Sequence, residues 1–287
     1  MTTLLVIDTE TTGPDPDQDE PVEVASVFVV YQPTVAFVQD YACSLVRGER
    51  PISLEAMAVH HITKAERARG IDEVRLPRAD YYVAHNAEFD RRVLRGATPE
   101  DAPWICTWRC ARHLWEDAPS HKNQVLRYWL PGLNDEVSSA PAMQLPPHRA
   151  LPDAWVTAHV LMRLLALRSP EELRALTEQP VLLRRVRGGE LDGTEWSRAP
   201  LSYCRWMTER AEPGSDEHHT AFHWLNSADR EPLILETVRF GKHRDQRWAD
   251  LPSDYLRWLL GQDFDADVRH TAQTVLASRQ SAQGVML

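Results

Sequence analysis

An internal repeat divides this chain. Trp196, Pro200, Tyr203, Arg205 and Trp206 recur 52 residues later as Trp248, Pro252, Tyr255, Arg257 and Trp258. Val186-Arg187 and Gly189 recur at the same offset as Val238-Arg239 and Gly241. Further on the offset is 51: Asp216 matches Asp267, His219-Thr220-Ala221 matches His270-Thr271-Ala272, and Leu225 matches Leu276. A tandem duplication explains the pattern, with a module of about 45 residues whose core is marginal alone. The copies, 185–230 and 236–283, are expected to pack on each other or on the rest of the chain. Their shared aromatics read as core.

The preceding residues, 1–168, read as one α/β domain, with 169–184 as a connecting helix and linker. Leu4 to Asp8 is a short branched apolar run, which suits a buried strand. Val22 to Tyr31 and Thr34 to Val46 are further strands, and Tyr81 to Ala84 is a fourth. Helices are expected from Ser53 to Val59, Ala87 to Arg95, Ile105 to Trp115, Asn123 to Leu130 and Ala150 to Leu167. Strands that come first and then mix with helices give an α/β pattern. The segment Pro14-Asp15-Pro16-Asp17-Gln18-Asp19-Glu20-Pro21 reads as an exposed acidic loop.

Asp8-Thr9-Glu10 ends the first strand. Residues two apart on a strand share a face, so two carboxylates meet there. They repel unless a cation lies between them, and hard oxygen ligands suit Mg²⁺ or Mn²⁺. Alone, such a pair is also what an ordinary solvated strand end looks like. Two more segments supply carboxylates: His85-Asn86-Ala87-Glu88-Phe89-Asp90 brings Asp90, and His148 with Asp153 brings a fourth and a histidine. Pro152 fits the first turn of the helix that carries Asp153, where its missing N–H costs little.

The order D-x-E, H-N-x-x-F-D, H-x-x-x-x-D resembles the DEDDh group of 3′→5′ exonucleases. Thr11-Thr12-Gly13 and the segments Pro51-Ile52-Ser53 and His60-His61-Ile62-Thr63 extend the match. Tyr82-Val83-Ala84-His85-Asn86, Trp104-Ile105-Cys106-Thr107 and Ala111-Arg112-His113-Leu114-Trp115 most resemble the exonuclease X type. So does the second C-terminal copy.

The resemblance implies an RNase H-like mixed sheet flanked by helices, followed by the two small modules. It implies hydrolysis of DNA from a 3′ end, releasing nucleoside 5′-monophosphates with two Mg²⁺ ions, or Mn²⁺ as a substitute. Asp8, Glu10, Asp90 and Asp153 would hold the ions, and His148 would take the proton of the attacking water, since imidazole titrates near neutral pH. Thr11, Thr12 and Gly13 would hold the terminal nucleotide, with His60 and Asn86 as contacts to its sugar or phosphate. Asn86 can equally be a helix N-cap. Rival readings are an RNA-trimming exoribonuclease and a nucleic-acid-binding or scaffold protein with a vestigial site.

The net charge of −10 argues against nucleic-acid binding only in sum, because phosphate binding depends on local charge. Local charge differs between the copies. The second has Lys242, Arg244 and Arg247 where the first has Glu190, Asp192 and Glu195. These three cations are therefore read as contacts to the nucleic-acid backbone. The acidic loop after Gly13 is expected to repel duplex phosphates, which favours single-stranded DNA. Arg91, Arg92 and Arg95 read either as phosphate contacts or as a solvated helix face. The C-terminal modules are also a surface for a protein partner or a second copy of the chain. No apolar run reaches the ~20 residues of a membrane helix, and the N-terminus lacks a basic signal region. Four cysteines without a C-x-x-C pair fit reduced thiols, so a cytoplasmic location is expected.

Overall fold

Strand β1 (Thr2–Thr11) is the middle strand of a five-stranded sheet. Its Leu4, Leu5, Val6 and Ile7 are fully buried, because both faces of the sheet are covered. β2 (Pro21–Gln32) pairs with β1 antiparallel and β3 (Val35–Leu45) pairs with β2. On the other side β4 (Tyr81–Ala84) and β5 (Trp104–Cys106) run parallel, giving the order β3-β2-β1-β4-β5. This computed structural model describes residues 1–284.

Helices α1 (Leu54–His60) and α2 (Lys64–Arg67) follow β3, and α3 (Ala87–Val93) follows β4. After β5 come α4 (Thr107–Leu114), α5 (Asn123–Trp129), α6 (Leu133–Ser138), α7 (Ala150–Leu165) and α8 (Pro170–Glu178). Alternation along the strands sorts the core into two layers. Leu4, Val6, Val27 and Val83 pack with Val156, Val160 and Leu164 of α7. Leu5, Ile7, Tyr82 and Ala84 pack with Ala87 and Leu94 around α3. The expected mixed sheet flanked by helices is thus present. No single helix among the described residues is long and apolar enough to cross a membrane.

Three expectations need correction. Trp104–Cys106 is a strand, so the helix expected from Ile105 starts at Thr107. Three residues are too few to show a period. The first unit ends at Gln179 rather than near Arg168. The supposed connecting helix α8 belongs to it, because Leu173 is fully buried in the α7-side core. Ser169 and Glu172 form a capping box that starts this helix, with Pro170 in its first turn. Thirdly, the loop 14–20 is not free acidic surface, as its contacts below show.

The second unit begins at Pro180 and holds both repeats. α9 (Leu201–Arg210) and α10 (Asp216–Asn226) belong to the first copy; α11 (Ser253–Leu260) and α12 (Ala266–Gly284) belong to the second. Each copy is laced the same way. The Val181 and Leu183 N–H groups donate to Asp216 and Thr220, and those of Leu233 and Leu235 donate to Asp267 and Thr271. The copies therefore start a few residues before the boundaries legible in the repeat.

They dock on each other through a buried ion pair. Arg230 binds both oxygens of Asp267, at 2.7 and 2.9 Å, and the Ala199 carbonyl at 2.8 Å. The Leu201 N–H completes the shell of Asp267. Trp196 and Trp248 are core, as expected. Trp206 and Trp258 are not: they are 46% and 51% exposed. Identity between copies marks a shared need, and that need is not always burial.

Candidate active site

Asp8 and Glu10 leave β1 on the same face as Leu4 and Val6, the face covered by α7. Asp153 lies in the first turn of that helix. One oxygen from each of Asp8, Glu10 and Asp153 lies within 4.8 Å of the others. Thr9 points to the opposite face, where its hydroxyl donates to Asp90 of α3 at 2.8 Å. Helices from the two sides of the sheet thus deliver their carboxylates to the end of one strand.

Burial raises the pKa of Asp8 well above the carboxylate range, and the charges of Asp153, Asp90 and Glu10 add to it. Glu10 is raised to about 8 by burial and by Asp153, Glu23 and Asp90. Burial takes Asp90 to about 7, against the Thr9 hydrogen bond. Asp153 is also raised by burial, partly offset by a hydrogen bond from Gln124 and by His148. None of the four forms an ion pair among the described residues. Buried carboxylates crowded without a counter-charge are unstable as a set of anions, and a divalent cation removes that instability. The donors are all oxygens, which fits a hard cation.

Supporting residues that sequence reasoning missed hold these groups. Gln124 of α5 donates to Asp153 Oδ1 at 2.5 Å, and Asn123 donates to the Asp153 carbonyl. Glu23 lies directly across from Glu10 on β2 and is 2% exposed. Its carboxylate accepts two hydrogen bonds from Arg149 and one from the Ala150 N–H, so it ties down the start of α7. A lone acid inside the apolar run Val22 to Tyr31 was the available signal.

The other expected residues divide. His148 is exposed just before α7, in a left-handed conformation (φ 63°), and its N–H donates to Asp153 Oδ2 at 3.2 Å. Asn86 is exposed at the head of α3, also left-handed, and its side chain makes no capping bond. Thr11 and Thr12 spend their hydroxyls inside the loop, on the Gly13 carbonyl and on Asp19. A Cβ on Gly13 would lie 2.6 Å from the Asp19 carboxylate, so a larger residue there would displace Asp19 from its bonds to Thr12 and Arg50. His60 is buried, its Nδ1 accepting from the Ile62 N–H, and burial lowers its pKa. The side chains of Thr11 and Thr12 therefore brace the turn after Glu10. Lys242, Arg244 and Arg247 are exposed in the second unit.

The acidic loop is internally balanced. Asp17 pairs with Arg92 and Arg95 of the α3 region, and Glu20 pairs with Arg67 at 2.7 Å. Burial opposes ionisation of Asp19. Hydrogen bonds from Thr12 and Asp15 and the charge of Arg50 nonetheless hold its pKa below the usual range. Arg91 lies 3.9 Å from Glu88. Three of the loop's four acids thus meet an arginine, and Arg92 and Arg95 anchor the loop through Asp17.

Comparison with known proteins shows the family of this chain. Residues 5–161 match the exonuclease family, RNase_T. The chain is 36% identical to exodeoxyribonuclease 10 of Escherichia coli K12 over 235 residues, covering 78% of this chain and 99% of that protein. It is 31% identical to the PolC-type DNA polymerase III of Thermotoga maritima over 194 residues, 63% of this chain and 13% of that one. Among solved structures, exonuclease X in complex with 5′-overhanging duplex DNA is 34% identical, with a TM-score of 0.48 over 61% of this chain and 99% of that one. With its family match and its full-length relative, this chain belongs to the exonuclease family and is a 3′→5′ exonuclease.

Proposed function

We propose that this protein hydrolyses DNA phosphodiesters one at a time from a 3′ end, releasing nucleoside 5′-monophosphates. The observation that carries the reading is the set of four carboxylates at the end of β1, one buried and three half-buried, whose pKa values rise and which form no ion pair among the described residues. DNA as substrate rests on the 36% identity to an exodeoxyribonuclease along almost its whole length.

Asp8, Glu10, Asp90 and Asp153 would hold divalent cations, with Mg²⁺ the first choice and Mn²⁺ a substitute for the same oxygen donors. Such ions, when bound, lower the pKa of water and neutralise phosphate charge. Thr9 fixes the Asp90 carboxylate and Gln124 fixes that of Asp153. His148, exposed beside Asp153, takes the proton of the attacking water on its ring. Asn86 presents its amide to the terminal nucleotide.

The test uses 5′-labelled DNA and RNA of one sequence with Mg²⁺, with EDTA, and with an Asp8→Ala variant. Stepwise shortening of DNA is expected only for the unaltered protein with metal. Faster trimming of RNA would move the assignment to an exoribonuclease. No metal-dependent shortening of either strand would make it a binding protein.

A further inference from the structure

The catalytic reading leaves Trp206 and Trp258 unused. They occupy the same position in the two copies and both remain about half exposed. Around the second, the surroundings fit a nucleic-acid strand. Tyr255 stacks beside Trp258, with ring centres 5.4 Å apart and planes at 22°. Phe264 props the indole from its edge at 6.4 Å. Tyr255 also carries the basic turn: the Lys242 ammonium lies 5.5 Å from its ring centre and His243 packs on it at 4.4 Å. Turn and aromatics thus form one continuous surface. The turn has Lys242, Arg244 and Arg247 against one acid, Asp245.

The first copy keeps the aromatics and loses the rest. Tyr203 lies beside Trp206 at 5.6 Å, but Arg210 covers the indole at 5.3 Å. Its turn carries Glu190, Asp192 and Glu195. This turn lacks the cations that would hold a phosphate, and Arg210 takes the place of a base on the indole.

We propose that the second copy is a binding site for single-stranded DNA, in which an unpaired base stacks on Trp258 while Lys242, Arg244 and Arg247 hold the adjoining phosphates. Every base has a π-face, so the site is indifferent to sequence. A duplex keeps its bases paired and cannot use the indole. The choice of DNA rests on the function proposed above.

The full-length protein is titrated in EDTA, where the metal-dependent reaction is off, with a 5′-fluorescein oligothymidylate followed by anisotropy. Trp258→Ala is expected to weaken binding about five- to a hundredfold, the range for loss of one stacked base. Trp206→Ala is expected to change it less than about twofold. Trp258→Phe, which keeps an aromatic face, retains most of the affinity and guards against a folding defect in the alanine variant. Lys242→Glu, Arg244→Asp and Arg247→Glu together install the first copy's charges, which the same turn already accommodates. They are expected to weaken binding and flatten its salt dependence.

Unchanged binding in Trp258→Ala, or an equal loss in Trp206→Ala, overturns the proposal. So does a dimer, seen by sedimentation, that Trp258→Ala dissociates, since the indole would then be an interface between copies. Hydrolysis with metal is scored separately. A protein that degrades DNA yet ignores these substitutions keeps its function and loses this site.

Discussion

Two acidic regions adjoin in this chain and have opposite fates. Asp8, Glu10, Asp90 and Asp153 converge without a cation, and their pKa values rise. Asp17, Asp19 and Glu20, only a few residues on, are met by Arg92, Arg95, Arg50 and Arg67. Glu23 sharpens the contrast, because it faces Glu10 across two paired strands and is held by Arg149. The protein pairs one set of carboxylates with its own arginines and leaves the set at the end of β1 without an ion pair among the described residues. Acid density alone therefore does not mark a metal site. The absence of an internal partner does.

The contrast can be broken most severely at Glu23. Glu23→Ala leaves the Arg149 charge and the Ala150 N–H without their partner. A loss of about 3–5 kcal/mol is expected by denaturant unfolding. A loss below about 1 kcal/mol would mean that the pair is not structural.

The catalytic set should respond in the other direction. The raised pKa of Glu10 means that the metal-free folded protein binds a proton which the unfolded chain releases between about pH 4.5 and about 8. Stability without metal is then greatest at the acid end of this window and falls as pH rises through it. Asp8→Asn removes one of the repelling charges, so in EDTA it is expected to melt higher than the unaltered protein, increasingly so from pH 5 to 8. Mg²⁺ at a hundred times its Kd is expected to add about 2.7 kcal/mol to the unaltered protein. It should add less to the Asn variant. Thermal melts showing no pH trend in EDTA would contradict the assignment of an unbalanced site.

The smallest effect is expected in the loop. Asp17→Asn breaks a half-exposed contact with Arg92 and Arg95, which costs less than about 1 kcal/mol. It frees two cations near the strand end. Binding of duplex DNA, measured against a matched single strand, should tighten slightly or stay level. Weaker duplex binding would restore the idea that this loop selects against duplexes through something other than charge.

Some of this was legible in advance for definite reasons. The branched run at Leu4 to Ile7 reads as a buried strand because it is short, apolar without a helical period and rich in branched residues. The carboxylates that meet at the end of β1 are legible because each sits in a local motif whose spacing is visible in the sequence. Trp104–Cys106 was misread because a three-residue strand is defined by its partner β4, not by its own pattern. Trp206 and Trp258 were misread because repetition reports that a residue is retained in both copies, and says nothing of which side of the module it faces.

By itself, then, the sequence determined the sheet's central strand, the duplicated modules and the acids that meet at that strand's end, since these depend on local period and spacing. Tertiary structure alone decided which acids are left unbalanced. Asp17 meets Arg92, Glu20 meets Arg67 and Glu23 meets Arg149 only after folding, because the partners are dozens to more than a hundred residues apart. Charge compensation is a property of distance in space, and no one-dimensional pattern encodes it.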